Sequence, residues 1–66
     1  NPATSMLNIK SDMRGEADIN IIDMTGRCVL SVKVDNISNT TLNVDSLESG
    51  IYFININGKV EKLVIE

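Results

Sequence analysis

Histidine and tryptophan are absent from the chain, cysteine and proline occur once each, and Tyr52 and Phe53 are its only aromatic residues. Without histidine, neither a Ser/His/Asp nor a Cys/His pair can be assembled, and one cysteine among scattered acids makes no metal cluster. The single Cys28 rules out an internal disulfide framework and leaves an intermolecular bridge or a free thiol. Its setting, Cys28-Val29-Leu30, favours a buried small hydrophobe. Positive charge is sparse too: six Lys and Arg against nine Asp and Glu give a net charge of −3, and the cations are scattered singly from Lys10 to Lys62. That distribution argues against nucleic acid as a partner. The four glycines stand singly in turn-like settings and form no phosphate loop. No apolar run is long enough for a membrane span or a signal-peptide core. A chain that opens Asn1-Pro2 without an initiator Met is expected to be a piece cut from a longer secreted protein.

Two pairs of acids, Asp18 with Asp23 and Asp45 with Glu48, are the nearest candidates for acid–base work, but capping of turns or solvation is the expected role. Asn36-Ile37-Ser38 and Asn39-Thr40-Thr41 match the N-glycosylation pattern, a match that is common by chance in an Asn-rich chain. Chemistry is therefore not expected here: no catalytic residue, no cofactor and no metal.

What the sequence does carry is a period of two with turn signals at short intervals, and no helical stripe. A single all-β domain follows, and 66 residues bury only about 60% of the surface that the unfolded chain exposes. Leu7 and Ile9 mark a first strand ended by Asp12-Met13-Arg14-Gly15. Ala17, Ile19 and Ile21 share one face of a second, which stops at Asp23-Met24-Thr25-Gly26, where Asp first and Gly fourth suit a type I turn. Cys28, Leu30, Val32 and Val34 alternate along a third, which fades into a polar loop from Asp35 to Asn39; Leu42 and Val44 mark a short fourth.

The runs Ile51 to Ile56 and Val60 to Ile65 flank Asn57-Gly58, the pair that a two-residue type I′ turn prefers because both positions need positive φ. A terminal hairpin pairing Ile56 with Lys59 sets Tyr52 opposite Leu63 and Phe53 opposite Lys62. Tyr52, Ile54, Leu63 and Ile65 then share one face, and Ile51, Phe53, Val60 and Val64 the other. The second apolar face should be covered, and a homodimer through the terminal strands is expected. Just upstream, Leu47-Glu48-Ser49-Gly50-Ile51-Tyr52 suggests a tyrosine corner, with the Tyr52 hydroxyl turned back to the backbone and Leu47 and Tyr52 as plugs. Gly50 suits a position where a Cβ would clash or φ is positive. The alternative is an ordinary strand tyrosine after an ordinary turn glycine.

In their order, Asn1-Pro2, Leu7-x-Ile9, Asp23-Met24-Thr25-Gly26-Arg27, Leu47-x-x-Gly50-x-Tyr52 and the terminal Lys62-Leu63-Val64 resemble the C-terminal sorting domains of the type IX (Por) secretion system of Bacteroidetes, over essentially the whole chain. The resemblance implies a small immunoglobulin-like, Greek-key antiparallel sandwich of six to seven strands. Six strand signals are visible, and a seventh is expected near Ser46 or from a split of Cys28 to Val34. It implies a non-catalytic address at the end of a cargo protein, carried through the periplasm and across the outer membrane to the surface or the medium. The implied partners are the type IX machinery, a sortase-like peptidase that removes the domain, and an upstream cargo domain. Gly26, Arg27, Gly50 and Tyr52 match the internal motifs. Lys62, Leu63, Val64, Ile65 and Glu66 fall on the terminal recognition segment, although members often end on a basic residue and this chain ends Ile65-Glu66. The alternative is a structural or adhesive Ig-like module of a secreted enzyme, for which an exposed aromatic platform would be the mark.

Overall fold

The computed structural model describes residues 6–65. Isoleucine and valine at every second position lock χ1 and fit a pleated surface better than a helix, and all regular structure among these residues is strand: β1 (Met6–Lys10), β2 (Ala17–Asp23), β3 (Cys28–Val34), β4 (Asn39–Asn43), β5 (Gly50–Ile56) and β6 (Lys59–Ile65). Four strands form one antiparallel sheet in the order β3-β2-β5-β6, and β1 pairs with β4 in a second. β4 returns to β1 and β5 returns to β2, so the chain closes in the manner of a Greek key across two layers. The molecule's shortest extent, 16 Å, leaves room for two sheets about 10 Å apart. This is a six-stranded sandwich compatible with the immunoglobulin-like class. The seventh strand does not form at either expected place: residues 44–49 are turn and coil, and β3 is one strand.

The core lies between the sheets. Ala17, Ile19 and Ile21 of β2, Tyr52, Ile54 and Ile56 of β5 and Ile65 of β6 meet Leu42 and Val44 from the smaller sheet, with Leu7, Ile9 and Leu63 packed around them. Each isoleucine so buried contributes about 1.5–3 kcal/mol over an exposed one. Ile37 departs from the sequence reading of a polar loop: from the segment linking β3 to β4 it is fully buried and joins the core. Its N–H donates to the Gly15 carbonyl at 3.0 Å. The loop can turn it inward because the Asn36 carboxamide oxygen accepts from the Ser38 N–H at 3.1 Å and hydroxyl at 2.8 Å.

Cys28 also departs from expectation, being exposed instead of buried. The cause is a bulge. Ile21 pairs with Leu30 but Ile22 pairs with Cys28, so Val29 is the extra residue and the alternation of β3 reverses there. Val29 and Leu30 both pack against the core, and Cys28 joins Ile22 on the outer face.

The β5–β6 hairpin has the expected register, with Tyr52 opposite Leu63, Phe53 opposite Lys62 and Ile56 opposite Lys59. Its turn residues Asn57 and Gly58 have φ of 51° and 94°, as type I′ geometry demands. Asn57 does more than turn. Its N–H donates to the Asp18 carbonyl at 3.1 Å and its Oδ1 accepts from the Asp18 N–H at 2.9 Å, extending the β2–β5 ladder by one side-chain step. The outer face of the hairpin is exposed, with Ile51 at 41%, Phe53 at 37%, Val60 at 54% and Val64 at 55%.

Asn57→Gly keeps the positive φ and deletes both side-chain bonds, the one accepted from the Asp18 N–H and the one donated to the Glu16 carbonyl at 3.4 Å, whereas Asn57→Ala also strains the backbone. The expected losses on urea denaturation are about 0.5–1.5 kcal/mol for Gly and a further 1 kcal/mol or so for Ala; equal midpoints for both variants and the parent would show that the turn anchors nothing.

Candidate sorting surface

Three segments far apart in sequence meet at one end of the sandwich. Asp23 ends β2 opposite Tyr52 at the start of β5, and Tyr52 lies opposite Leu63 near the end of β6. One row across the sheet thus joins the Asp23-to-Arg27 turn, the Leu47-to-Tyr52 corner and the terminal strand. Gly50 pairs with Ile65 and Ile51 with Val64, so the last residues of β6 border the same corner.

The Tyr52 hydroxyl donates to the Glu48 carbonyl at 2.6 Å, with the side chain buried, and this is a tyrosine corner. Leu47 is half-buried against the core, and its N–H donates to the Val44 carbonyl at 3.0 Å, which tightens the turn leading into the corner. Gly50 has φ of +156°, a backbone conformation that side chains rarely adopt, while a Cβ there would sit 3.9 Å from the Tyr52 ring. Conformation, not lack of space, is what calls for glycine at this point.

On the other side of the row, the Asp23 carboxylate organises the β2–β3 turn. Its Oδ1 accepts from the Thr25 N–H at 2.9 Å, the Thr25 hydroxyl at 2.6 Å and the Arg27 N–H at 3.0 Å. The backbone closes as expected of the motif, with the Gly26 N–H donating to the Asp23 carbonyl at 3.0 Å. The Thr25 hydroxyl bond, and after it the Arg27 N–H bond, hold the Asp23 carboxyl below its ordinary range. A folded pKa below the unfolded one means that this stabilisation is present above the unfolded value and is lost as pH falls through the folded one.

Arg27 is different in kind. Its Nε lies 3.8 Å from Asp23 Oδ2, but its side chain is 78% exposed. A pair so open to water contributes about 0–1 kcal/mol. Redirecting the guanidinium elsewhere therefore costs the fold at most about 1 kcal/mol.

Of the residues singled out from the sequence, Gly26, Arg27, Leu47, Gly50, Tyr52, Leu63, Val64 and Ile65 gather at this end. Asn57 and Gly58 lie at the far end of the hairpin and Lys62 lies mid-strand, exposed, opposite Phe53. Glu66 and Asn1-Pro2 lie outside the described residues. Asp23 takes the turn-capping role expected of it from the sequence, with the Asp-x-Thr spacing supplying the Thr25 bonds; the Glu48 carbonyl is not named by any sequence signal. Asp18 and Asp23 sit five residues apart on one strand, on opposite faces and about 17 Å from each other, so they do not converge. No group of three or more potential metal ligands occurs among the described residues.

A family model described as the secretion system C-terminal sorting domain matches residues 1–66. Among curated proteins and solved structures, nothing matches the chain. The chain belongs to the C-terminal sorting domains of the type IX secretion system. It is a sorting signal for export across the outer membrane, to the surface or the medium, and its family is one of signals and not of catalysts.

Tyr52→Phe deletes one hydroxyl and leaves the Glu48 carbonyl without its donor. Chemical denaturation should show a loss of about 1 kcal/mol or more at unchanged slope; an unchanged midpoint would mean that the corner bond does not hold the fold.

Proposed function

Starting from that membership, we propose that the end built by Arg27, Gly50, Tyr52 and the last residues of β6 is the surface through which the type IX machinery reads its cargo. The observation that supports this most is Arg27: it stands in a family-like motif, at the meeting point of three motif segments, with a guanidinium that is 78% exposed and held only by a solvent-open pair with Asp23. The terminal segment Lys62 to Glu66 supplies the second part of the surface. The domain sits at the C terminus of a longer cargo protein, which passes through the periplasm and is recognised there in folded form. A sortase-like peptidase then removes the domain and joins the cargo to an anionic surface polysaccharide. The domain binds no cofactor, and any catalysis belongs to the upstream cargo.

The adhesive alternative has less support. Tyr52 is buried in the corner and Phe53 is 37% exposed, so one aromatic ring, not a platform, is offered to a sugar.

Fused to a periplasmic reporter in a host with type IX machinery, the chain should deliver that reporter to the surface. Arg27→Ser, and separately Lys62→Ser with Glu66→Ser, should reduce delivery with little change in the denaturation midpoint, because Arg27 and Lys62 are exposed. A reporter that stays in the periplasm with the fused domain demonstrably folded would reject the sorting surface and favour an accessory module.

A further inference from the structure

The larger sheet has two free edges, and they are not alike. β3 carries the bulge at Val29, which twists that edge and interrupts its ladder. β6 pairs with β5 through seven residues, Lys59 to Ile65, without a register shift, and no strand among the described residues covers its other side. An unbulged edge of this length presents a row of backbone groups ready to pair. Its side chains carry a pattern. On the outer face Lys62 stands between Val60 and Val64, which are 54% and 55% exposed. On the inner face Glu61 is exposed beside Leu63.

Deepening the sorting reading, on which it rests, we propose that the free edge of β6 is a strand-addition site. Its occupant is an extended partner segment that places an acidic side chain opposite Lys62, with apolar side chains two residues to either side opposite Val60 and Val64. A strand added there lets the exposed half of the hairpin's apolar outer face continue onto the partner. Opposite charges facing each other across strands are favourable, and like charges are unfavourable. The same rule weighs against a second copy. Antiparallel self-pairing with full overlap is centred on Lys62 and sets the two Lys62 ammonium groups against each other. It also places Glu61 opposite Leu63 and Lys59 opposite Ile65. Every shift that separates the two lysines shortens the overlap. Lys62 thus guards the edge against its own kind while selecting an acidic partner strand.

The test uses two capped peptides, Thr-Val-Thr-Asp-Thr-Val-Thr and its counterpart with Lys at the centre, titrated at roughly millimolar concentration into the 66-residue chain and followed by NMR and amide exchange. The Asp peptide should protect β6 amides between Lys59 and Ile65 and bind about fivefold more tightly than the Lys peptide, the ratio expected for a cross-strand charge pair of about 1 kcal/mol. Lys62→Glu, a change at an exposed position, should reverse the preference. Binding by neither peptide, protection at β1, β3 or β4, a preference that survives Lys62→Glu, or protection of β6 that grows with protein concentration alone would each overturn the proposal. Export of the reporter fusion is a separate readout: surface delivery with no peptide preference removes the edge inference alone, and edge binding without delivery removes the sorting reading.

Discussion

The bond from the Tyr52 hydroxyl to the Glu48 carbonyl, 2.6 Å long and partly buried, is the point on which the arrangement of this domain turns. A 66-residue sandwich has little core to spend on its ends. The corner closes one end with a single ring that packs in the core and a single hydroxyl that satisfies a backbone acceptor. Because Tyr52 lies in the same cross-strand row as Asp23 and Leu63, fixing it also fixes where the β2–β3 turn and the end of β6 stand relative to each other. The surface assigned to sorting is thus a product of the closing of the fold.

Structure and recognition divide cleanly among the residues at that end. Asp23, Gly50, Leu47 and Tyr52 are turned to internal tasks: three bonds to one carboxylate oxygen, a positive φ, a plug and a corner bond. Arg27 there, and Lys62 farther along β6, are exposed and hold little together. An address needs both kinds, since a partner can recognise exposed charges only if their spacing is fixed by side chains that it never touches.

Much of the fold was legible because it rests on local rules. The Asn57-Gly58 turn, the hairpin register and the two faces of β5 and β6 follow from turn chemistry and a period of two, and the tyrosine corner from a short local pattern. Besides the seventh strand, which does not form, two readings of single residues fail for reasons of the same kind. The apolar setting Cys28-Val29-Leu30 points to a buried thiol, but the Val29 bulge turns Cys28 to the outer face, and a bulge leaves no mark in a run of apolar residues. Ile37 stands alone among polar residues, so no period announces that its loop turns inward. For the candidate surface, the motif positions were visible singly. Their meeting was not, because it depends on β5 lying beside β2, a pairing between segments some thirty residues apart.

On the proposed reading, the machinery recognises the folded end of the domain and not a linear string of residues. The most direct measurement is surface delivery of a reporter fused to the chain and to variants spanning a range of stability, Tyr52→Phe and Gly50→Val among them, plotted against the fraction folded of each fusion at the growth temperature. Neither substitution changes Arg27 or any residue of the segment Lys62 to Glu66, although Gly50 and Tyr52 pair with Ile65 and Leu63. Delivery should fall in step with the folded fraction. Full delivery by a variant that is mostly unfolded would contradict the claim and return the signal to the sequence of the terminal segment alone.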